Sequence, residues 1–157
     1  MTLRLHIHDG QVLKGTDMMG KMENYVAVKV LDDPQGEREY KTKIVQGSAK
    51  SKKDENRIPF NDVLEIPISN PNARLHVRIM DEDMTSDDTC AEGYVNLNSC
   101  GCLGGRNTYR LMMHLTPKKG KQPEGGKGGD IMFTTEYVWW SNHLKSSMNI
   151  KGANLLN

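Results

Sequence analysis

Apolar and polar residues alternate from the start of the chain. Residues 3–8 read Leu-Arg-Leu-His-Ile-His, and this period of two is typical of a β-strand with one buried face. Similar short runs follow, each bounded by Gly, Pro, Asn, Asp or Ser. The pattern predicts strands over 3–7, 24–31, 38–45, 62–68, 73–80, 93–97, 109–115 and 130–139.

The strands predict the fold class. Short strands with no helix-period segment longer than about ten residues are typical of an all-β sandwich or barrel. The sequence predicts an eight-stranded antiparallel β-sandwich of Greek-key type. A chain of 157 residues is long enough for one domain with its own core. We assign residues 1–141 to the sandwich and 142–157 to a C-terminal tail, for which a short helix and a loose tail both fit.

Composition argues against several classes of protein. No apolar run approaches the ~18–20 residues of a membrane-spanning helix, and the N-terminal residues are too charged for a signal peptide. Three cysteines are an odd number, which is untypical of a disulfide-bonded secreted domain. The net charge of +1 argues against a nucleic-acid binder. We therefore expect a cytoplasmic protein.

The near-zero net charge hides a strong segregation. Residues 81–92 carry six carboxylates and no Lys or Arg, whereas residues 38–57 carry seven Lys and Arg against three carboxylates. The Gly-rich stretch 117–129 adds four lysines against one glutamate. The chain is therefore expected to have an acidic end or edge and separate basic surfaces.

Three segments together carry a family resemblance. Residues 17–26 read Asp-Met-Met-Gly-Lys-Met-Glu-Asn-Tyr-Val, residues 41–43 read Lys-Thr-Lys, and residues 75–83 read Leu-His-Val-Arg-Ile-Met-Asp-Glu-Asp. They resemble, in order, the first loop, a basic strand and the strand before the third loop of the C2 domain family. The resemblance covers roughly residues 2–140. Strand 3–7 leads directly into the first acidic loop, as in the type II topology of that family.

The resemblance implies a calcium site. In that family, acidic loops at one end of the sandwich bind Ca²⁺, a cation that prefers several oxygen ligands. Glu23 stands where the family has an aspartate, and Thr89 stands at the place of its last aspartate. Either the third loop is rearranged so that a neighbouring aspartate substitutes, or one calcium position is lost. The candidate ligands are Asp17, Glu23, Asp81, Asp83, Asp87 and Asp88.

The resemblance also implies contacts with lipid. Related domains place apolar side chains at the loop tips, where they enter the bilayer boundary, and bind phosphoinositide headgroups through a basic strand cluster. Each basic residue near an anionic surface contributes about 1 kcal/mol. Packing of the methionines onto the sandwich and solvation of the lysines are the alternatives. The candidate lipid-binding residues are Met18, Met19 and Met84 at the tips, and Lys41, Lys43, Lys50, Lys52 and Lys53 in the cluster.

These features predict a non-catalytic, peripheral membrane-targeting module that binds acidic phospholipids, with Ca²⁺ bridging through the acidic loops. No catalytic motif of a hydrolase is recognisable. The alternative is a calcium-independent C2 scaffold that binds a protein partner. His6 and His8 could form half of a metal site, but no third ligand is indicated, and a solvated strand face explains them as well.

Overall fold

The fold is built from antiparallel strands. The computed structural model describes residues 1–12, 22–47, 57–82, 87–99, 105–115 and 127–138. In these ranges every regular element is a strand, which confirms the predicted all-β class. The strands are β1 (Thr2–Val12), β2 (Met22–Leu31), β3 (Arg38–Lys41), β4 (Val45–Gly47), β5 (Asp62–Pro67), β6 (Arg74–Asp81), β7 (Asp88–Asn96), β8 (Asn107–Leu115) and β9 (Lys127–Val138).

The strands form one sheet that folds over itself into a sandwich. Their order is β3-β2-β6-β7-β8-β9-β1-β5, with β4 also paired to β2. The two halves meet between β7 and β8 through two residue pairs, Ala91 with Leu115 and Glu92 with His114. At the opposite edge β3 approaches β5, where Arg38 Nη2 donates a hydrogen bond to the Pro67 carbonyl oxygen at 2.8 Å. The sheet is thus nearly closed.

The core lies between the two halves. Alternate residues of each strand point inward, as the period of two predicts. The inner positions of β1, β2 and β6 are almost all fully buried aliphatic side chains, each of which stabilises the fold by roughly 1.5–3 kcal/mol. They are Leu3, Leu5, Ile7, Val26, Val28, Val30, Leu75, Val77 and Ile79.

The predicted strand 38–45 is two strands. β3 ends at Lys41, opposite Ala27, and β4 begins at Val45, opposite Asn24. Three residues of this edge therefore face two of β2, which is the arrangement of a β-bulge. Thr42 joins the bulge to β2 through two hydrogen bonds with Val26. Its N–H donates to the Val26 carbonyl oxygen at 2.9 Å, and its hydroxyl accepts a bond from the Val26 N–H at 2.9 Å. The described residues thus contain nine strands rather than eight.

The start of β7 also differs from the prediction. The strand begins at Asp88 rather than at residue 93, so five residues assigned to the acidic loop belong to a strand that pairs with β6. Asp88 is exposed at the end of the sheet and Glu92 lies on the outward face, and their charge obscured the strand in the sequence. The predicted tail, residues 142–157, lies outside the described residues. Within the described part of the chain, no helix is long and apolar enough to cross a membrane.

Candidate calcium and lipid site

Three strands bring carboxylates to one end of the sandwich. Asp81 closes β6, and its backbone lies opposite both Asn24 on β2 and Asp88 on β7. The next residue, Glu82, donates its N–H to the carbonyl oxygen of Glu23 at 2.8 Å. We call this group the acidic end. It comprises Glu23, Asp81, Glu82, Asp87 and Asp88.

Like charges are close together at the acidic end. Carboxylates on directly opposite strand positions destabilise a sheet, and Asp81 and Asp88 occupy such positions. Loss of solvation, a hydrogen bond with Glu23 and the negative charge of Glu23 raise the pKa of Glu82. The charge of Glu23 thus disfavours the ionised form of Glu82, and a cation beside them would reduce this repulsion.

Asp87 is held by a tyrosine. The Tyr25 hydroxyl donates a hydrogen bond to Asp87 Oδ2, across the gap between β2 and the start of β7. Burial and the bond to Asp87 raise the pKa of Tyr25 to about 12. The ring packs with Ala27 and Met80 on the outer face of the sheet. In the sequence Tyr25 served as a marker of family register, and its contact with the third loop was not predicted.

Asn24 adds a neutral oxygen beside the carboxylates. Its side chain is buried, and Nδ2 donates to the Met80 carbonyl oxygen at 3.0 Å. The other side-chain atom, Oδ1, is buried without a hydrogen-bond partner among the described residues. A buried oxygen that lacks a donor is costly, and a hard cation would satisfy it. Sequence reasoning missed Asn24, because the family has proline at this place.

The donor chemistry at the acidic end suits calcium. All of its side chains offer oxygen, which hard cations prefer, and none offers the sulfur or imidazole nitrogen that zinc and copper prefer. Among the described residues, no group of three or more His, Cys, Asp or Glu side chains is placed to hold a metal ion. The remaining predicted ligands, Asp17 and Asp83, lie outside the described residues. So do Met18, Met19 and Met84.

A second pair of carboxylates is neutralised within the protein. Arg57 Nε donates to Asp9 Oδ1 at 2.5 Å, and its Nη1 and Nη2 donate to Asp130 at 3.1 and 2.8 Å. These bonds raise the pKa of Arg57. By contrast, no described Lys or Arg forms an ion pair with Glu23, Asp87 or Asp88. Within the described part of the chain, the carboxylates of Glu23, Asp87 and Asp88 thus differ from those of Asp9 and Asp130 in having no Lys or Arg partner.

Two of the predicted lysines lie on the outer surface of β2 and β3. The Lys41 ammonium group lies 5.6 Å from the centre of the Tyr25 ring, within the range of a cation–π contact. Lys43 is exposed, and its backbone N–H donates to Asp62 Oδ2 at 2.8 Å. Thr42 between them is buried, and both lysines are exposed, Lys41 at the end of β3 and Lys43 beyond that strand. Lys50, Lys52 and Lys53 lie outside the described residues.

The cations near these lysines are already paired. Lys29 lies 2.8 Å from Glu37 Oε2, and Arg78 forms an ion pair with Glu39. Among the described residues, neither Lys41 nor Lys43 has a carboxylate within ion-pair distance. These two lysines are therefore the available positive charges of this surface, which we call the basic face.

A model of the C2 domain family matches residues 1–113. The chain belongs to the C2 domain family. The fold also resembles solved C2 structures. A C2 domain of plant extended synaptotagmin 1 superposes with a TM-score of 0.60 at 13% identity, covering 87% of this chain and 92% of that one. A structure of two C2 domains of extended synaptotagmin 2 gives a TM-score of 0.60 at 21% identity, over 96% of this chain and 46% of that one.

A third solved structure is an enzyme. Human GIVD cytosolic phospholipase A2 gives a TM-score of 0.57 at 18% identity and covers 87% of this chain. The likeness involves 17% of the phospholipase chain, so it concerns the fold of one part of that protein. No curated protein matches this chain in sequence.

Proposed function

We propose that this C2 domain is a peripheral membrane-targeting module that binds acidic phospholipids, with Ca²⁺ bridging the acidic end to the headgroups. The observation that carries the proposal is the placement of four carboxylates, those of Glu23, Asp81, Asp87 and Asp88, at one end of three strands. We place the protein in the cytoplasm, in peripheral association with membranes, and assign it no catalytic activity.

The acidic end would hold the cation through side-chain oxygens. The described candidates are Glu23, Asp81, Asp87, Asp88 and the Asn24 amide, which do not by themselves form a complete site, and Asp17 and Asp83 are the further candidates. When bound, Ca²⁺ supplies positive charge that attracts phosphate groups. Without a cation, the same carboxylates repel an anionic membrane.

The basic face would add a calcium-independent attraction. Lys41 and Lys43 each contribute about 1 kcal/mol near an anionic surface, and the predicted cluster also includes Lys50, Lys52 and Lys53. The ring of Tyr25 orients the Lys41 ammonium group outward from β3. Phosphoinositides, which carry more charge than phosphatidylserine, are the lipids expected to bind this face most strongly.

Vesicle sedimentation tests the proposal. We expect the protein to sediment with phosphatidylserine vesicles in Ca²⁺ and to remain in solution with a chelator. The double variant Asp81→Asn with Asp88→Asn should lose this calcium-dependent part, whereas Glu65→Gln, an exposed carboxylate on β5, is the matched control. Lys41→Gln with Lys43→Gln should weaken binding to phosphoinositide vesicles in either condition. If the protein does not sediment with either lipid, in the presence or absence of Ca²⁺, the proposal is wrong.

A second candidate is a calcium-independent scaffold for a protein partner. The observation in its favour is the pairing of Lys29 and Arg78 with glutamates, which reduces the positive field that an anionic membrane would meet. An exposed aromatic side chain on the same sheet also favours a protein partner. Tyr94 is 55% exposed and stacks on His76 with 4.5 Å between ring centres. Calcium binding that disappears in the Asp81 and Asp88 double variant would remove its main support.

A further inference from the structure

A small pocket lies on the outer surface of the other half of the sandwich, formed by β1, β5, β9 and the residue before β8. Its volume is about 210 Å³, below the roughly 300–1,000 Å³ of sites for drug-sized ligands, so it suits a small polar group. Its wall includes two guanidinium groups, an imidazole and a hydroxyl. The lining residues are Arg4, His6, Val63, Arg106, Thr134 and Glu136.

Strand register explains why these side chains converge. On β1, His6 pairs with Val63 of β5 on one side and with Thr134 of β9 on the other. Residues directly opposite one another in a sheet share a face, so all three line the same surface. Arg106 precedes β8, whose Thr108 pairs with Thr134. The pocket is therefore fixed by paired strands rather than by a loop.

The floor of the pocket is a hydrogen-bonded chain. The Thr134 hydroxyl, which is buried, lies 2.6 Å from His8 Nε2 and 2.8 Å from Thr108 Oγ1. The His8 ring in turn lies 4.0 Å from the His6 ring, centre to centre, at an interplanar angle of 43°. Two imidazoles this close repel each other when both are protonated, unless an anion lies beside them.

The charges around the two histidines are unequally compensated. Arg4 lies 3.3 Å from Glu65 and 3.7 Å from Glu136, so its charge is shared between two carboxylates. Arg106 has no carboxylate within ion-pair distance among the described residues.

The surroundings of His6 contain charges of both signs, and Arg106 is the described cation among them that no carboxylate pairs. Burial and the positive charges of His8 and Arg106 lower the pKa of His6, against an opposing effect of Asp62. The charged or titratable groups that face it are thus Arg4 and His8 on β1, Asp62 and Glu65 on β5, Glu136 on β9, and Arg106. An anion in the pocket would complete the pairing of Arg106 and favour protonation of His6.

We propose that this pocket binds a phosphate group, with Arg106 and His6 donating hydrogen bonds to its oxygens and His6 taking up a proton as it binds. Guanidinium and imidazolium groups are the donors that form strong, charge-assisted bonds to phosphate. Acidification therefore favours binding, because it supplies the second positive charge beside Arg106. This site lies on the half of the sheet that carries neither the acidic end nor the basic face.

The test uses sulfate first, because its charge stays constant between about pH 5.5 and 7.5 and any pH dependence then belongs to the protein. The imidazole NMR signals of His6 and His8 should shift saturably with sulfate at constant ionic strength. Affinity should fall about tenfold over that pH range, since loss of one charge-assisted bond corresponds to about one factor of ten. His6→Gln should remove this pH dependence.

Matched arginine variants distinguish specific binding in the pocket from nonspecific attraction of an anion by surface cations. Arg106→Gln should weaken sulfate and phosphate binding about tenfold. Arg110→Gln on the neighbouring strand removes an exposed cation outside the pocket and should change affinity by less than about twofold in physiological salt. Both residues are exposed, so both variants should melt as the wild type does. Equal loss in the two variants, or no saturable shift of either histidine, would overturn the proposal.

Two further ligands, a soluble inositol phosphate and inorganic phosphate, distinguish a lipid headgroup from free phosphate as the natural ligand. Tighter binding of a soluble inositol phosphate than of inorganic phosphate would assign the pocket to a lipid headgroup, and equal binding would assign it to free phosphate. Both affinities are read from the His6 and His8 signals, so that binding of the inositol phosphate at the basic face does not enter the comparison.

Discussion

The Tyr25 hydroxyl donates its hydrogen bond to Asp87, and the face of the same ring lies under the Lys41 ammonium group. One side chain thus contacts both the acidic end and the basic face. Because Tyr25 is 4% exposed, it is anchored in the sheet and holds the two surfaces in a fixed relation.

Removal of the Tyr25 hydroxyl should destabilise the fold modestly. A hydrogen bond to a charged group contributes roughly 1.5–3 kcal/mol, and the exposed position of Asp87 reduces this, so we expect Tyr25→Phe to cost about 1 kcal/mol in urea unfolding. Tyr94→Phe, at an exposed position, is the control and should cost less than about 0.5 kcal/mol. An equal cost for both variants would contradict a specific Tyr25–Asp87 bond.

The raised pKa of Glu82 predicts a pH effect on stability. A carboxyl whose pKa is higher in the folded than in the unfolded protein binds more protons when folded, so its contribution declines as the pH rises above 4.5. Glu82→Gln should therefore melt at a higher temperature than the wild type at about pH 7, and this advantage should shrink toward about pH 4. Thermal melts across this range measure it, and Glu65→Gln should show no comparable trend.

Calcium should raise the melting temperature at neutral pH. A ligand that binds only the folded state at about 100 times its Kd stabilises it by about 2.7 kcal/mol. We expect a saturable shift with Ca²⁺ that Asp81→Asn with Asp88→Asn removes. The shift should be smaller at about pH 4.5, where protons compete with the cation for the Glu82 carboxylate, whose pKa is raised. A pH-independent shift would argue that the cation binds elsewhere.

Arg57 should contribute strongly to stability. Its loss leaves Asp9 and Asp130 without their shared cation, and breaking a buried pair costs roughly 3–5 kcal/mol. Partial exposure of the Arg57 side chain, 27%, lowers this to about 2–3 kcal/mol for Arg57→Met. Arg110→Met removes a cation that lies 3.6 Å from the same Asp130 carboxylate but is 61% exposed, and it should cost less than about 1 kcal/mol by urea unfolding.

Two glycines with positive φ should respond differently to alanine. Gly129 has φ of 135°, and a Cβ there would lie 1.8 Å from the Gln11 carbonyl oxygen. Gly36 has φ of 86° with open space around it. Gly36→Ala should therefore cost about 1 kcal/mol from backbone conformation alone, whereas Gly129→Ala should cost several kcal/mol more or prevent folding. Circular dichroism with urea unfolding distinguishes the two outcomes.

Local alternation sufficed to predict the fold class, since it directly reports which strand face is buried. It located the inner residues of β1, β2 and β6 because their apolar positions repeat without interruption. It failed where charged residues interrupt the apolar period, as at the start of β7, and where one extra residue interrupts pairing, as at Thr42. The apolar period alone reveals neither a strand that continues through such charges nor a bulge.

The sequence indicated which types of residue form the candidate site, but it did not predict all of the contacts between them. The acidic residues of the third loop were visible as a charge run, and Lys41 and Lys43 as an alternating pair. The contact from Tyr25 to Asp87 joins residues 62 positions apart, and the buried Asn24 oxygen depends on the pairing of β2 with β6. Such features arise from tertiary structure, so a local pattern does not contain them.

Main-chain hydrogen bonding joins the two halves of the sandwich through only the two residue pairs between β7 and β8 among the described residues. The shared apolar core, rather than a continuous ladder, therefore makes them unfold together. A core substitution such as Leu75→Ala should for this reason reduce the cooperativity of unfolding as well as its midpoint. Amides along the β7 edge beyond Glu92 should then exchange with solvent before those of β2.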